Sequence, residues 1–184
     1  FKQLTTKDKK TIYTVPSGNL GNLTAGVIAQ KMGLPIDHFI AATNINDVIP
    51  NYIDTGIYNS KKSVQTISNA MDVGNPSNFI RLKNIHGSTW NNIKNNVSGY
   101  KVSEEETQKE IKRIYDTYKY IIDPHGAVGT FAAQKHLNET RRNNQYIILE
   151  TAHPAKFPIT IENNLNLKIE IPQPLKEIEL KKTV

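Results

Sequence analysis

The chain has 184 residues, a formal net charge of +6, a pI near 9.4 and no cysteine, with 38% hydrophobic and 22% charged residues. That is one substantial domain or part of a larger chain, with enough length to bury a core without disulfide staples, and disulfides and Cys-based zinc sites are excluded. The basic residues are dispersed: Lys2, Lys7, Lys9 and Lys10 at the start, Lys61 and Lys62 in the middle, and Lys176, Lys181 and Lys182 beside Glu177 and Glu179 at the end. No stretch interleaves them with stacking aromatics, so neither the charge nor its pattern points to nucleic acid.

Taken in order, the chain alternates short apolar runs with helical patterns, which predicts an α/β fold: an open three-layer arrangement with helices on both faces of a sheet. Thr11 to Val15 is β-branched and aromatic and is stopped by Pro16, a strand signal. Leu20, Leu23, Val27 and Ile28 have helical spacing through to Met32, and Gly33 ends the helix. His38 to Thr43 predicts a second strand, after which Asn46 or Asp47 is placed to cap a short helix ending before Gly56.

Residues 56–100 are less periodic and are expected to form a less regular insertion. Within them Asn75-Pro76 has the form of a helix start, with Asn as cap and Pro at the first helical position. Ser103 and Glu106 make a capping box ahead of Thr107, Ile111, Ile114, Tyr115 and Tyr118 on one helix face. Tyr120 to Ile122 then runs as a short strand into the turn Asp123-Pro-His125-Gly126 and a helix over 127–137. Tyr146 to Leu149 predicts a further buried strand, and residues 169–184 end in either a short amphipathic helix or a tail.

The sharpest local feature is Val15-Pro-Ser-Gly-Asn-Leu-Gly-Asn22. A strand delivers the backbone to a tight loop whose glycines let several N–H groups converge, and the following helix adds unpaired N–H groups and its positive dipole end. This suits a phosphate, with the side chains of Ser17, Asn19 and Asn22 as extra donors. The spacing matches neither a nucleoside-triphosphate P-loop nor Gly-x-Gly-x-x-Gly. On the loop alone, a phosphate site and a plain helix-capping turn both remain open.

Five blocks occur in order: residues 17–26 (Ser-Gly-Asn-Leu-Gly-Asn-Leu-Thr-Ala-Gly), 41–50 (Ala-Ala-Thr-Asn-Ile-Asn-Asp-Val-Ile-Pro), 68–78 (Ser-Asn-Ala-Met-Asp-Val-Gly-Asn-Pro-Ser-Asn), 123–129 (Asp-Pro-His-Gly-Ala-Val-Gly) and 151–157 (Thr-Ala-His-Pro-Ala-Lys-Phe). The series resembles the C-terminal half of threonine synthases. These are fold-type II enzymes that use pyridoxal 5′-phosphate (PLP) to convert O-phospho-L-homoserine and water into L-threonine and phosphate.

The resemblance implies that Ser17, Gly18, Asn19, Leu20, Gly21 and Asn22 cradle the cofactor phosphate. It also implies that the Thr151 hydroxyl faces the pyridine nitrogen, where a neutral group makes the ring a milder electron sink than a carboxylate would. Asn44, Asp47, Asp123, His125, His153 and Lys156 follow predicted strands, where open α/β sheets place ligands, and are expected near the substrate. Capping explains Asn46, Asp47 and Asp123 equally well, Thr151 also suits a strand end, and no metal-ligand spacing links the histidines.

In this family the lysine that forms a Schiff base with the cofactor lies upstream, and none of the lysines here sits in a matching motif. The expectation is therefore half an active site, inactive alone, whose first partner is the missing N-terminal half. The start at Phe1 rather than Met fits a cut inside a longer protein. No apolar run approaches the roughly 20 residues of a membrane span, and a cytoplasmic location is expected. The alternatives are another fold-type II enzyme, such as a serine/threonine dehydratase, and a non-catalytic anion-binding α/β module.

Overall fold

A computed structural model describes residues 9–179. Four strands, β1 (Thr11–Pro16), β2 (His38–Thr43), β3 (Val97–Lys101) and β4 (Gln145–Ile148), form one parallel sheet in the order β3-β2-β1-β4. Buried on both faces, β1 and β2 are the β-branched and apolar runs that sequence patterning picks out. β4 lies at the edge and is half-buried throughout, not the fully buried strand expected from Tyr146-Ile-Ile-Leu149.

One face of the sheet is covered by α1 (Gly21–Lys31), α2 (Val48–Thr55), α3 (Phe79–Ile85) and α4 (Trp90–Asn96). Their Leu23, Val27, Ile49, Tyr52, Ile53, Phe79, Leu82 and Ile93 pack with Val15, Phe39, Ala41 and Val97. The other face carries α6 (Pro124–Thr140), whose Val128 and Ala132 meet Ile12, Ile40 and Ala42. Behind it α5 (Glu104–Tyr118) and α7 (Pro158–Leu165) join a cluster of Ile111, Ile114, Ile122, Ala127 and Ile161. Helices thus lie on both faces of an open sheet, as the alternating pattern predicts.

Several local expectations change. β3 and α4 lie in the stretch expected to be irregular. Gly99 in β3 is there because α2 crosses so closely that a Cβ would sit 2.6 Å from Cα of Pro50. α3 starts after Asn78, not at Asn75-Pro76. Tyr120 to Ile122 is not a strand: Ile122 packs into the α5–α6–α7 cluster, and Asp123 caps α6 directly behind it. The Ser103–Glu106 capping box is formed in full. Of the helix and the tail expected as alternatives at the end, α8 (Gln173–Glu179) is the helix, and residues 180–184 lie outside the described residues. No described helix is long and apolar enough to cross a membrane.

Candidate functional site

All four strands point the same way, so the loops after β1, β2, β3 and β4 gather at one end of the sheet. α1 leaves β1 to cover one face, while α6 arrives at β4 from the other, which opens a crevice between the ends of these neighbouring strands. A cavity of about 540 Å³ lies there, within the roughly 300–1,000 Å³ range of ligand sites. The residues after β1, Gly18 to Leu23, form one wall with Asn69 to Met71. His125, Thr151, Ala152, Lys156 and Phe157 form the other.

The first wall is made of neutral groups held in close contact. Gly18 is wedged under the 3₁₀ turn Asn69–Met71, where a Cβ would lie 2.7 Å from the Ala70 carbonyl oxygen and 2.8 Å from Cα of Met71. Leu20 takes a left-handed conformation, φ 62°, which costs a non-glycine residue about 1–2 kcal/mol. Burial of its side chain in the core offsets this by roughly 1.5–3 kcal/mol. The turn at Leu20 starts α1, whose first helical bond runs from Thr24 N–H to the Leu20 carbonyl at 2.9 Å. The N–H groups of Gly21, Asn22 and Leu23 precede that bond and so have no partner within the helix, and these three residues line the cavity.

Ser17 has a different part. Its N–H donates to the Ala42 carbonyl at 2.7 Å and its hydroxyl to the Val15 carbonyl at 2.8 Å, so both donors tie the loop to the sheet. Asn19 accepts at Oδ1 from the Ser77 N–H and hydroxyl, at 2.6 and 2.9 Å, and its carbonyl accepts from the Asn78 amide at 2.8 Å. The 68–78 block is therefore the outer support of the loop.

Asn44 and Asp47, expected near a substrate, do not line this cavity. Asn44 is buried and donates to the Thr66 hydroxyl and to Asp72 Oδ1, both at 2.8 Å. Its Oδ1 accepts from the backbone and side chain of Asn46, which in turn holds the backbone of Val64 on both sides. This network pins residues 64–72, and hence the turn above Gly18. Neither Asn46 nor Asp47 caps α2 through its side chain. Asp47 instead pairs with Lys61 and Lys101 at 3.0 and 3.1 Å. Burial works against its charge, but these two lysines hold its pKa below the ordinary value.

The second wall is titratable. Asp123 is fully buried and caps α6, accepting from the N–H groups of His125 at 2.8 Å and Gly126 at 3.4 Å. Its Oδ1 lies 2.6 Å from His125 Nδ1. Burial opposes ionisation of Asp123, yet hydrogen bonds from His125 and Glu150 hold its pKa below the ordinary carboxylate value. Glu150 shows the reverse: burial, then its hydrogen bond to Asp123 and that group's charge, raise it to about 8. Although Glu150 is exposed as a residue, its carboxyl tucks against Gly126, where a Cβ would lie 2.6 Å from Oε1. One proton is thus held on Glu150 beside an ionised Asp123. His153 uses Nδ1 to accept from the Ala155 N–H at 3.1 Å and does not line the cavity.

The cavity brings together Gly18, Asn19, Leu20, Gly21, Asn22, His125, Thr151 and Lys156 of the residues singled out in the sequence. Sequence reasoning missed Glu150 and Phe157. A glutamate directly before Thr151 was the available signal for the first, but its partner Asp123 is brought to it only by the fold. Among the described residues no cluster of metal-ligating side chains occurs.

A parallel sheet with helices on both faces and a glycine-bearing loop between its first strand and α1 is an open α/β arrangement, and it matches that of fold-type II PLP enzymes. The comparisons agree: the structure superposes on the PLP-bound threonine synthase from Brucella melitensis with a TM-score of 0.87 at 29% identity, covering 98% of this chain and 43% of that one. Threonine synthase from Escherichia coli gives a TM-score of 0.84 at 35% identity, over 95% of this chain and 40% of that one. A family model described as Threonine synthase, C-terminal matches residues 126–183. Threonine synthase of Buchnera aphidicola (subsp. Acyrthosiphon pisum) is 39% identical over 169 residues, 91% of this chain and 38% of the relative. The chain is thus similar to threonine synthases over about nine tenths of its own length, and it spans about two fifths of the length of the relatives it matches.

Proposed function

We propose that this chain is the cofactor-anchoring part of a PLP-dependent threonine synthase, a carbon–oxygen lyase that converts O-phospho-L-homoserine and water into L-threonine and phosphate. The observation that carries this reading is the pairing, across one cavity, of an N–H-rich loop that tolerates no Cβ at Gly18 with Thr151 on the opposite wall, in a chain similar to threonine synthases. These residues fit PLP. The N–H groups of Gly21, Asn22 and Leu23 and the α1 dipole suit the phosphate, and a neutral hydroxyl at Thr151 suits an unprotonated ring nitrogen. When bound, the cofactor supplies an electron sink for proton removal next to the amino group.

The chain's own residues then bind and orient. Gly18 to Asn22 hold the phosphate, Thr151 sets the ring plane, and Lys156 offers a cation toward an anionic substrate group. Ser17 acts from beneath the loop, not as a phosphate ligand. The family's reactive lysine is assigned to the part of the full-length protein that these 184 residues do not cover. Asn44, Asp47 and His153 are supports of the site and not substrate contacts.

The test is the full-length protein supplied with PLP and O-phospho-L-homoserine. L-threonine and phosphate should form in equal amounts, while the 184-residue chain alone should release no phosphate. Formation of ammonia and a 2-oxo acid from L-serine or L-threonine, with no threonine from phosphohomoserine, would replace this reading with a dehydratase. Absence of PLP binding would leave a non-catalytic anion-binding domain.

A further inference from the structure

Nε2 of His125 is buried and has no hydrogen-bond partner among the described residues. The residue is 2% exposed and lines the cavity, with the Phe157 ring beside it at a centroid distance of 5.1 Å. Leaving a buried ring nitrogen unpaired is unfavourable unless a bound group satisfies it. The ring is also held firmly. Nδ1 lies 2.6 Å from Asp123, which in addition accepts from the backbone of His125 and Gly126. Glu150 closes over Gly126 from outside and keeps the shared proton, so Asp123 stays the acceptor.

Nδ1 faces Asp123 and Nε2 lies on the opposite edge of the ring, where the Nδ1–H tautomer, the one that donates to Asp123, carries its lone pair. A lone pair repels phosphate oxygens but accepts from a hydroxyl or a protonated nitrogen. The phosphate end already has the donors of the Gly18–Leu23 loop, whereas His125 belongs to the wall that holds Thr151 and Phe157. We propose that His125 Nε2 is a direct hydrogen-bonding contact for the ring portion of PLP, a third anchor beside the phosphate loop and Thr151, with Asp123 and Glu150 as positioning residues. This rests on the PLP reading above and goes beyond it by assigning a contact to the ring.

The experiment uses the full-length protein with ¹⁵N-labelled histidine, the His125 signals being assigned by their loss in His125→Gln. Without ligand, Nε2 should resonate as an unprotonated ring nitrogen. It should shift on adding PLP, shift also with pyridoxal, which lacks the phosphate, and stay in place with inorganic phosphate. By equilibrium dialysis His125→Phe should bind PLP about tenfold more weakly, the loss of about one hydrogen bond, and His125→Gln should recover most of that. A full shift with phosphate alone, or a silent Nε2 in protein that binds PLP, would overturn the inference and leave the PLP reading intact. Failure of the wild-type protein to bind PLP would overturn both.

Discussion

The two walls of the cavity are built from opposite materials. The Gly18–Leu23 wall uses neutral groups fixed by close packing: a glycine with no room for a Cβ, a left-handed Leu20 anchored by its buried side chain, and hydrogen bonds that Asn19 accepts from Ser77 and Asn78. The wall across from it uses Asp123, His125 and Glu150, whose geometry depends on where protons sit. A phosphate keeps its negative charge through the physiological range and needs only fixed donors. A heteroaromatic ring exchanges protons, and a titratable wall can respond to it. The difference predicts a first wall that is sensitive to shape and indifferent to pH, and a second wall with the reverse behaviour.

The largest effects should come from added volume on the first wall. Gly18→Val would push a side chain into Ala70 and Met71 backbone and should weaken PLP binding about ten- to hundredfold, as expected for ~1–3 kcal/mol of overpacking. Gly74→Ala tests the same wall from further out: its Cβ would fall 1.8 Å from the Lys61 carbonyl oxygen, so thermal stability should drop even though the cavity lining is unchanged. Asn44→Ala comes next. It removes the donor that Thr66 and Asp72 share and the acceptor of the buried Asn46, at about 1–3 kcal/mol in a denaturant titration. PLP binding should weaken with it, because the turn above Gly18 loses its tether. A variant with wild-type stability and affinity would show that the network is not a support.

The second wall is probed by pH. Glu150 has an ordinary value of 4.5 and a folded value of about 8, so between the two the folded chain holds a proton that the unfolded chain releases. Its contribution is therefore complete below 4.5 and is lost as pH rises toward 8. Asp123, with a lowered pKa, contributes in the opposite sense: its share is present above 3.8 and fades as pH falls through its folded value. In Glu150→Gln the decline of stability from pH 4.5 to 8 should flatten. An unchanged decline would break the contrast between the walls.

The sequence makes the first wall legible because the loop is contiguous: strand, glycine turn and helix follow one another, β1 carries a β-branched run and β2 an apolar one. The supports of the loop are a different matter. Asn44 sits where ligand residues often sit, just after a strand, and only the return of residues 64–72 over the sheet shows that its amide is spent on Thr66 and Asp72. β3 was hidden by Gly99 and its polar neighbours, a glycine required by the approach of Pro50 and not by a turn. The partner of Glu150 was hidden for the same reason as the partners of Asn44. The raised pKa of the glutamate comes from Asp123 at the start of α6, and local pattern carries no trace of that pairing.

The smallest expected effect concerns Asp47, whose ion pairs place charge near the base of the otherwise neutral wall. Lys61 meets Asp47 with a half-exposed side chain, while its backbone N–H donates to the Gly74 carbonyl at 2.9 Å. Those two links separate cleanly by mutation. Lys61→Ala deletes the ion pair and keeps the backbone bond, and Lys101 still neutralises Asp47 at 3.1 Å. An exposed pair of this kind contributes within about 1 kcal/mol, and salt screens it. Lys61→Ala should therefore lower stability slightly in dilute buffer, by a margin that vanishes in molar salt, and leave PLP affinity unchanged. A large, salt-sensitive loss of affinity would mean that charge, not packing, holds the loop over Gly18, and the two walls would then differ in degree only.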